Sequence, residues 1–453
     1  MRVRSFNHRV AAPVLAAALG VTSGVRVAGA ADGQPTQREL LEQINALKAQ
    51  VDRLQATEEA RQDKLTAAEV DATVERVLGD AERRSQLLQV QGFTAGYDKG
   101  FLIQSEDKRF LLKPGIQTQF RYVANYYDTD DNNHEDGFEV RRLRLRFDGN
   151  VFSPDLTYSF QWDTNRSGGA VTLLDAWLQY RFAPSLAVRF GQFKESVFHE
   201  RDVSGFSQLA VERSLADAIL GGANTDRVQG VSLIYGGGKD DAIRAEVAYH
   251  DGANSRNTDF RDANADFGAG GRLEYKAFGD WADYRDLTAK AGKANLLVFG
   301  VGADFTQAFD ADVLRSTADV QFEAADKLVV YAAAHANYSD LNDPDDETAD
   351  DSTDDYGALV QAGYLLTDKL ELFGRYDIVQ LDQPAEGGDD TFSEVTAGVN
   401  YYLGDKGSYL HKAKISLDVT YLPDGSPAAQ TAQGVVAGEE EQIVFRGQFQ
   451  LIL

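Results

Sequence analysis

The chain has 453 residues, a formal charge of −26 and no cysteine, with 25 Phe, 19 Tyr and 41 Gly. The missing cysteine excludes disulfide frameworks, thiolate metal centres and cysteine nucleophiles, and the acidity argues against non-specific binding of nucleic acid. No run reaches 18 apolar residues, so the pattern of a transmembrane helix is missing, whereas a chain that crosses with strands needs no such run.

Residues 1–30 are expected to be a secretory signal peptide. Arg2, Arg4 and Arg9 precede an apolar run over 10–19, and Ala28-Gly29-Ala30 supplies a small-residue cleavage site. Residues 31–90 read as a helical, periplasmic stalk. Leu40, Ile44, Leu47, Val51 and Leu54 recur at 4-3-4-3 spacing, the seam of a short coiled coil. A single amphipathic helix laid on another surface would show the same pattern. Residues 91–108 are expected to be a linker.

From about Arg109 the helical period gives way to period two, and sixteen alternating segments follow, from 109–127 to 441–453. Their connections alternate in length. Ser153-Pro154, 183–185 and 367–369 are short, whereas 128–137, 196–226 and 422–440 are long and polar. Short turns on one rim and long loops on the other are the pattern of outer-membrane barrels. Two connections depart from it: 278–294 is long where a turn is due, and the one near Asp310 is short where a loop is due. In the last segment Ile443, Phe445, Gly447, Phe449 and Leu451 share one face, opposite Gln442, Arg446, Gln448 and Gln450. A final strand of this kind looks like the insertion signal of outer-membrane barrels, although that signal usually ends in Phe or Trp and here Leu453 stands last. The expected fold is all-β: a sixteen-stranded antiparallel transmembrane β-barrel over 109–453, preceded by the helical segment.

The segment 138–152, FEVRRLRLRFDGNVF, carries the most pointed chemistry. Leu143, Leu145 and Phe147 alternate with Arg142, Arg144 and Arg146. Same-face residues stand roughly 6.6 Å apart on a strand, so three arginines make a basic ladder about 13 Å long. In a barrel the leucines meet lipid and the arginines line water. Planar guanidinium groups bind oxyanions bidentately, so the candidate pore-lining and anion-binding residues are Arg142, Arg144, Arg146, Arg181, Arg189, Lys194 and Arg213. Acids such as Asp148, Asp163, Asp175 and Glu246 share the inner face and would pair with many bases. Residues 196–226 are the candidate constriction, with a mixed helical pattern at Phe206, Leu209, Arg213, Leu215 and Ile219 that ends at Gly221-Gly222.

No catalytic constellation is visible. HExxH, GxSxG and Walker patterns are missing, and His8, His134, His199, His250, His335 and His411 are isolated in sequence. Asp128, Asp130, Asn132, Asp136 and Glu139 mimic calcium-loop positions, but Asn133 replaces the required glycine and strands flank the loop. No enzyme activity, cofactor or specific metal site is expected.

Four segments in this order, GFEVRRLRLRFDG (137–149), LDAWLQYRF (174–182), RFGQFKE (189–195) and FSQLAVERSLADAI (206–219), resemble the phosphate-selective porin O/P family. The resemblance implies a homotrimeric sixteen-stranded porin in the outer-membrane bilayer, with loops folded inward to narrow the pore. The expected function is passive diffusion of small solutes, with a preference for anions that extends to phosphate or other oxyanions. A structural tether linking the barrel to the cell wall through the stalk is the alternative.

Overall fold

The computed structural model describes residues 37–62, isolated positions between 72 and 79, and 92–453 apart from 99, 128–133, 262–264, 290–294, 309–310, 325–326, 342–351, 385–387 and 439–440. The expected signal peptide lies outside the described residues, as do most of the stalk beyond 62 and the first three calcium-loop mimics. The chain divides into two units, Met1–Ser85 and Gln86–Leu453.

In the first unit, α1 (Gln37–Gln62) is built mostly from Leu, Ala, Glu, Gln, Lys and Arg with no Gly or Pro, a composition that favours helix. Its apolar stripe is bare: Ile44, Leu47, Val51 and Leu54 are all exposed.

The second unit opens with a hairpin, β1 (Phe93–Tyr97) and β2 (Phe101–Ser105), inside the stretch expected to be a linker. These strands are too short for their alternation to stand out. Ile103 and Gln104 of β2 pair with Leu112 and Leu111, which lie in β3 (Leu111–Tyr127).

Sixteen antiparallel strands then close a barrel. After β3 come β4 (His134–Asn150), β5 (Leu156–Thr164), β6 (Val171–Ala183), β7 (Leu186–Lys194), β8 (Arg227–Gly236) and β9 (Ile243–His250). The far wall is β10 (Ala265–Phe278), β11 (Leu296–Ala308), β12 (Ala311–Ala324), β13 (Leu328–Leu341) and β14 (Ser352–Leu365). It continues through β15 (Leu370–Gln380), β16 (Thr391–Tyr402), β17 (Ala413–Leu422) and β18 (Gln442–Ile452). Each strand pairs with its neighbour in sequence, and β18 closes on β3 from Gln442↔Tyr127 to Ile452↔Gln117. Closure leaves no unpaired edge, which is what lets strands cross a bilayer.

Alternation sorts the two faces. In β15, Leu372 and Tyr376 are exposed on the outside, while Glu371, Arg375 and Asp377 are buried inside. Buried ion pairs run round the inner wall, among them Arg446–Asp418 at 2.7 Å, Arg375–Glu394 at 2.5 Å and Arg272–Asp319 at 2.7 Å. The first two join neighbouring strands, β17 with β18 and β15 with β16, and the third reaches from β10 past β11 to β12.

Among the described residues, three connections fold into the barrel. The largest is 195–226. Its Val203, Leu209, Leu215 and Leu220 are almost fully buried against Tyr331 and Leu359, Val329 and Phe373, and Val379 and Phe392 of the β13–β16 wall. Each such side chain contributes roughly 1.5–3 kcal/mol. The expected helix is confined to Leu215–Ile219, with single turns at His199–Asp202 and Gly222–Thr225. The long connection after β10 also turns inward, burying Trp281, Tyr284 and Leu287; the Leu287 N–H donates to the Ser207 carbonyl at 3.1 Å. The stretch after β17 is the third, and its Gln433 donates to the Arg213 and Ser214 carbonyls.

Candidate functional site

The ladder strand carries a β-bulge. Phe120 faces Val140 and Gln119 faces Arg142, so Arg141 is an extra residue between them. A bulge re-aims side chains, and here both Arg141 and Arg142 turn inward onto the same carboxylate. Glu212 of the inward segment takes Arg121 Nη1 at 2.7 Å, Arg141 Nε at 2.5 Å and Arg142 Nη2 at 3.2 Å. Burial disfavours its charge, but Arg141, Arg142 and Arg121 together hold it well below the usual carboxylate range. Three guanidinium groups on one anion make this a clasp that fastens the segment to β3 and β4.

With the segment packed on the β13–β16 wall and clasped to β3 and β4, a cavity of about 350 Å³ remains along β4–β9. Arg144, Arg146, Arg189, Lys194, Arg227 and Arg244 line it from the strands, and Arg285 reaches it from the connection after β10. The acids on its wall are Asp175, Asp202 and Glu246, so seven bases face three acids. Several bases are tied to the wall: Arg144 to Asp163 at 2.9 Å, Arg146 to Asp148 at 2.6 Å, Arg227 to Asp175 at 3.3 Å, and Arg189 to Glu246. Lys194 instead donates to the Arg201 carbonyl at 2.9 Å. Among the described residues, neither it nor Arg285 has an ion pair.

Two titratable groups on the inward segment, His199 and Asp202, are among the lining residues. His199 stacks on Tyr284 with ring centroids 3.8 Å apart, and its Nε2 is 2.7 Å from Gln321 Oε1. Burial pushes the His199 imidazolium down to about 4, so the ring is neutral at pH 7. Burial likewise pushes the Asp202 carboxyl up to about 6, against the Ser196 hydroxyl that donates to it at 2.7 Å.

The cavity therefore gathers Arg144, Arg146, Arg189 and Lys194 of the expected set but not the other three. Arg142 is buried in the Glu212 clasp, because the docked segment covers it. Arg213 is turned onto its own segment, donating to the Glu200 and Val203 carbonyls at 3.0 and 2.7 Å. Arg181 is exposed near the turn at 184–185 and does not reach the cavity. Sequence reasoning missed Arg121, Arg141, Arg227 and Arg285. The anomalous length of 278–294 was the available signal for Arg285; a bulge leaves none.

A closed sixteen-strand barrel with an apolar outer face, inward-folded segments and a charged inner cavity is an outer-membrane channel of the porin class. The sequence matches the family described as phosphate-selective porin O and P over residues 115–451, and the chain belongs to that family. Among solved structures, an anion-selective porin from Comamonas acidovorans is similar at 12% identity and a TM-score of 0.53, covering 76% of this chain and 100% of its own. OmpF of Salmonella typhi, in complex with daunomycin, is similar at 15% identity and a TM-score of 0.52, covering 79% and 100%. At these identities the likeness is one of fold. No curated protein matches the chain at a significant level.

Proposed function

We propose that this porin passes small anions by diffusion and that its preference extends to oxyanions, phosphate included. The observation that carries the reading is the excess of bases in the cavity, seven against three, with Lys194 and Arg285 held by no carboxylate among the described residues. Within a constriction, the side chains that line the path govern selectivity, and rings of Arg and Lys suit anions. The anion-selective neighbour from Comamonas acidovorans supports the same reading. Reversal potentials in a KCl gradient across a planar bilayer test it. Anion selectivity is expected, weaker in Arg144→Ala/Arg146→Ala, and cation selectivity of the wild type would overturn it.

The working unit in this reading is a homotrimer, as the family resemblance implies; native mass spectrometry in detergent tests it. A second reading gives the segment 31–90 a tethering role. The bare stripe of α1 favours it, since an apolar seam at heptad spacing calls for a partner helix or surface. Deleting 31–90 should then shed envelope attachment while conductance persists.

A further inference from the structure

We propose that Glu195, His250 and Asp304 form a binding site for one divalent transition-metal cation, of which zinc is the representative. Glu195 follows β7 at the root of the inward segment, His250 ends β9 and Asp304 lies in β11. Barrel closure brings one donor atom from each within 4.8 Å of the others, and all three residues are almost fully buried.

The donors converge without satisfying one another. His250 Nε2 stands 3.1 Å from Glu195 Oε1 and 3.1 Å from Asp304 Oδ2. Neither contact has hydrogen-bond geometry: both Glu195 oxygens, Asp304 Oδ2 and both His250 nitrogens are buried without a hydrogen-bond partner. A single Nε2–H could serve one carboxylate and would leave the other a poorly compensated buried anion, which is costly. One divalent cation takes a donor atom from all three and balances both negative charges. The spacing suits it, because two donors about 2.1 Å from a metal and 90–109° apart stand roughly 3.0–3.4 Å from each other.

The surroundings look built for such an ion. Asp304 Oδ1 accepts from the Thr306 hydroxyl at 2.9 Å and faces Arg315 Nη1 at 3.6 Å, which leaves Oδ2 turned toward the triad. Outer partners of this kind orient ligating carboxylates. On β10, between the strands that carry His250 and Asp304, two alternate positions are glycine. A Cβ at Gly268 would collide with the His250 ring, and one at Gly270 with Glu195 Oε1. One imidazole and two carboxylates suit zinc and its first-row neighbours better than magnesium or calcium, which favour all-oxygen sets. A bound ion would pin the root of the inward segment to β9 and β11, so occupancy would steady the constriction.

The test uses the full-length protein in detergent, stripped with a chelator and titrated with zinc chloride by calorimetry. One saturable site per chain is expected, and His250→Ala and Asp304→Asn should each weaken it by ~10-fold or more, taking the loss of an outer partner as the lower bound. Heat-modifiable gel migration shows whether each variant still forms the barrel. Crystals of the wild-type protein soaked in zinc provide an independent reading, with an anomalous peak expected among Glu195, His250 and Asp304. No saturable uptake by the wild type, equal uptake by folded His250→Ala, or a peak at another histidine instead would overturn the proposal.

Discussion

Glu212→Gln tests whether one carboxylate fastens the inward segment. The substitution keeps the side chain's shape and removes a negative charge from among Arg121, Arg141 and Arg142, which contact it at 2.5–3.2 Å. Glu212 and Arg142 are each 4% exposed, so solvent screens little of the loss. Breaking a buried ion-pair network costs about 3–5 kcal/mol. The amide oxygen still accepts one N–H, which places the cost near 3 kcal/mol on the same scale. At about 1.4 kcal/mol per factor of ten, the undocked segment gains ~10²-fold in population. Amide hydrogen exchange reads this directly, because two docked amides depend on wall carboxylates. The Val211 N–H donates to Asp418 Oδ2 at 2.8 Å and the Ala216 N–H to Asp377 Oδ1 at 3.1 Å. Exchange over 206–219 should quicken by ~10²-fold while the strand amides keep their protection. Unchanged exchange there, or equal acceleration in every strand, would refute the reasoning.

Arg285→Ala should shift the reversal potential toward zero with little effect on thermal stability, since Arg285 has no ion pair among the described residues; Arg142→Ala should do the opposite, lowering stability and sparing selectivity. Both are read from KCl-gradient potentials and gel-shift melting curves. The Asp202 carboxyl, raised to about 6, is charged above that pH and neutral below it, so the cavity loses a negative charge as pH falls from 7 to 5. Anion preference should therefore rise over that window in the wild type and stay flat in Asp202→Asn. Tyr284→Ala removes the ring stacked on His199 and should widen the path, raising single-channel conductance while costing about 3–5 kcal/mol of stability, as for other buried aromatics.

The barrel was legible in the sequence because its two faces meet different solvents, and period two records that over each strand. What lay between strands was not. The helical spacing at 206–219 is real, yet only Leu215–Ile219 is helical. Wall side chains take carbonyls that a longer helix would have used: Gln450 donates to the Phe206 carbonyl, Lys414 to that of Gln208, Asn400 to that of Leu209 and Arg375 to that of Glu212. Period two places Arg142 on the inner face with Arg144 and Arg146 but cannot show the added residue at Arg141 or the docked Glu212 that takes both arginines. His250 looked isolated because its partners lie 55 residues before it and 54 after it in the chain. Strand register, which no local pattern reveals, sets Glu195 and Asp304 beside it.

The charge distribution explains how so acidic a chain can hold a basic cavity. The net −26 is a sum over the whole sequence, while a permeating ion responds to charges within a Debye length, about 8 Å at physiological salt. On the inner wall, acids and bases cancel in pairs such as Arg446–Asp418 and Arg272–Asp319, which leaves little local field. Around Glu212 the cancellation is incomplete, with three guanidinium groups on one carboxylate and Glu139 pairing with Arg121. In the cavity it fails further, because Lys194 is held by a carbonyl and Arg285 comes from a connection rather than a strand. Wall bases such as Arg146, Arg189, Arg272 and Arg446 are matched to acids on the same or a nearby strand, a constraint that a residue on an inward connection escapes. The inward segments thus do two things at once: they narrow the barrel, and they supply the place where uncancelled positive charge can stand in the path of a solute.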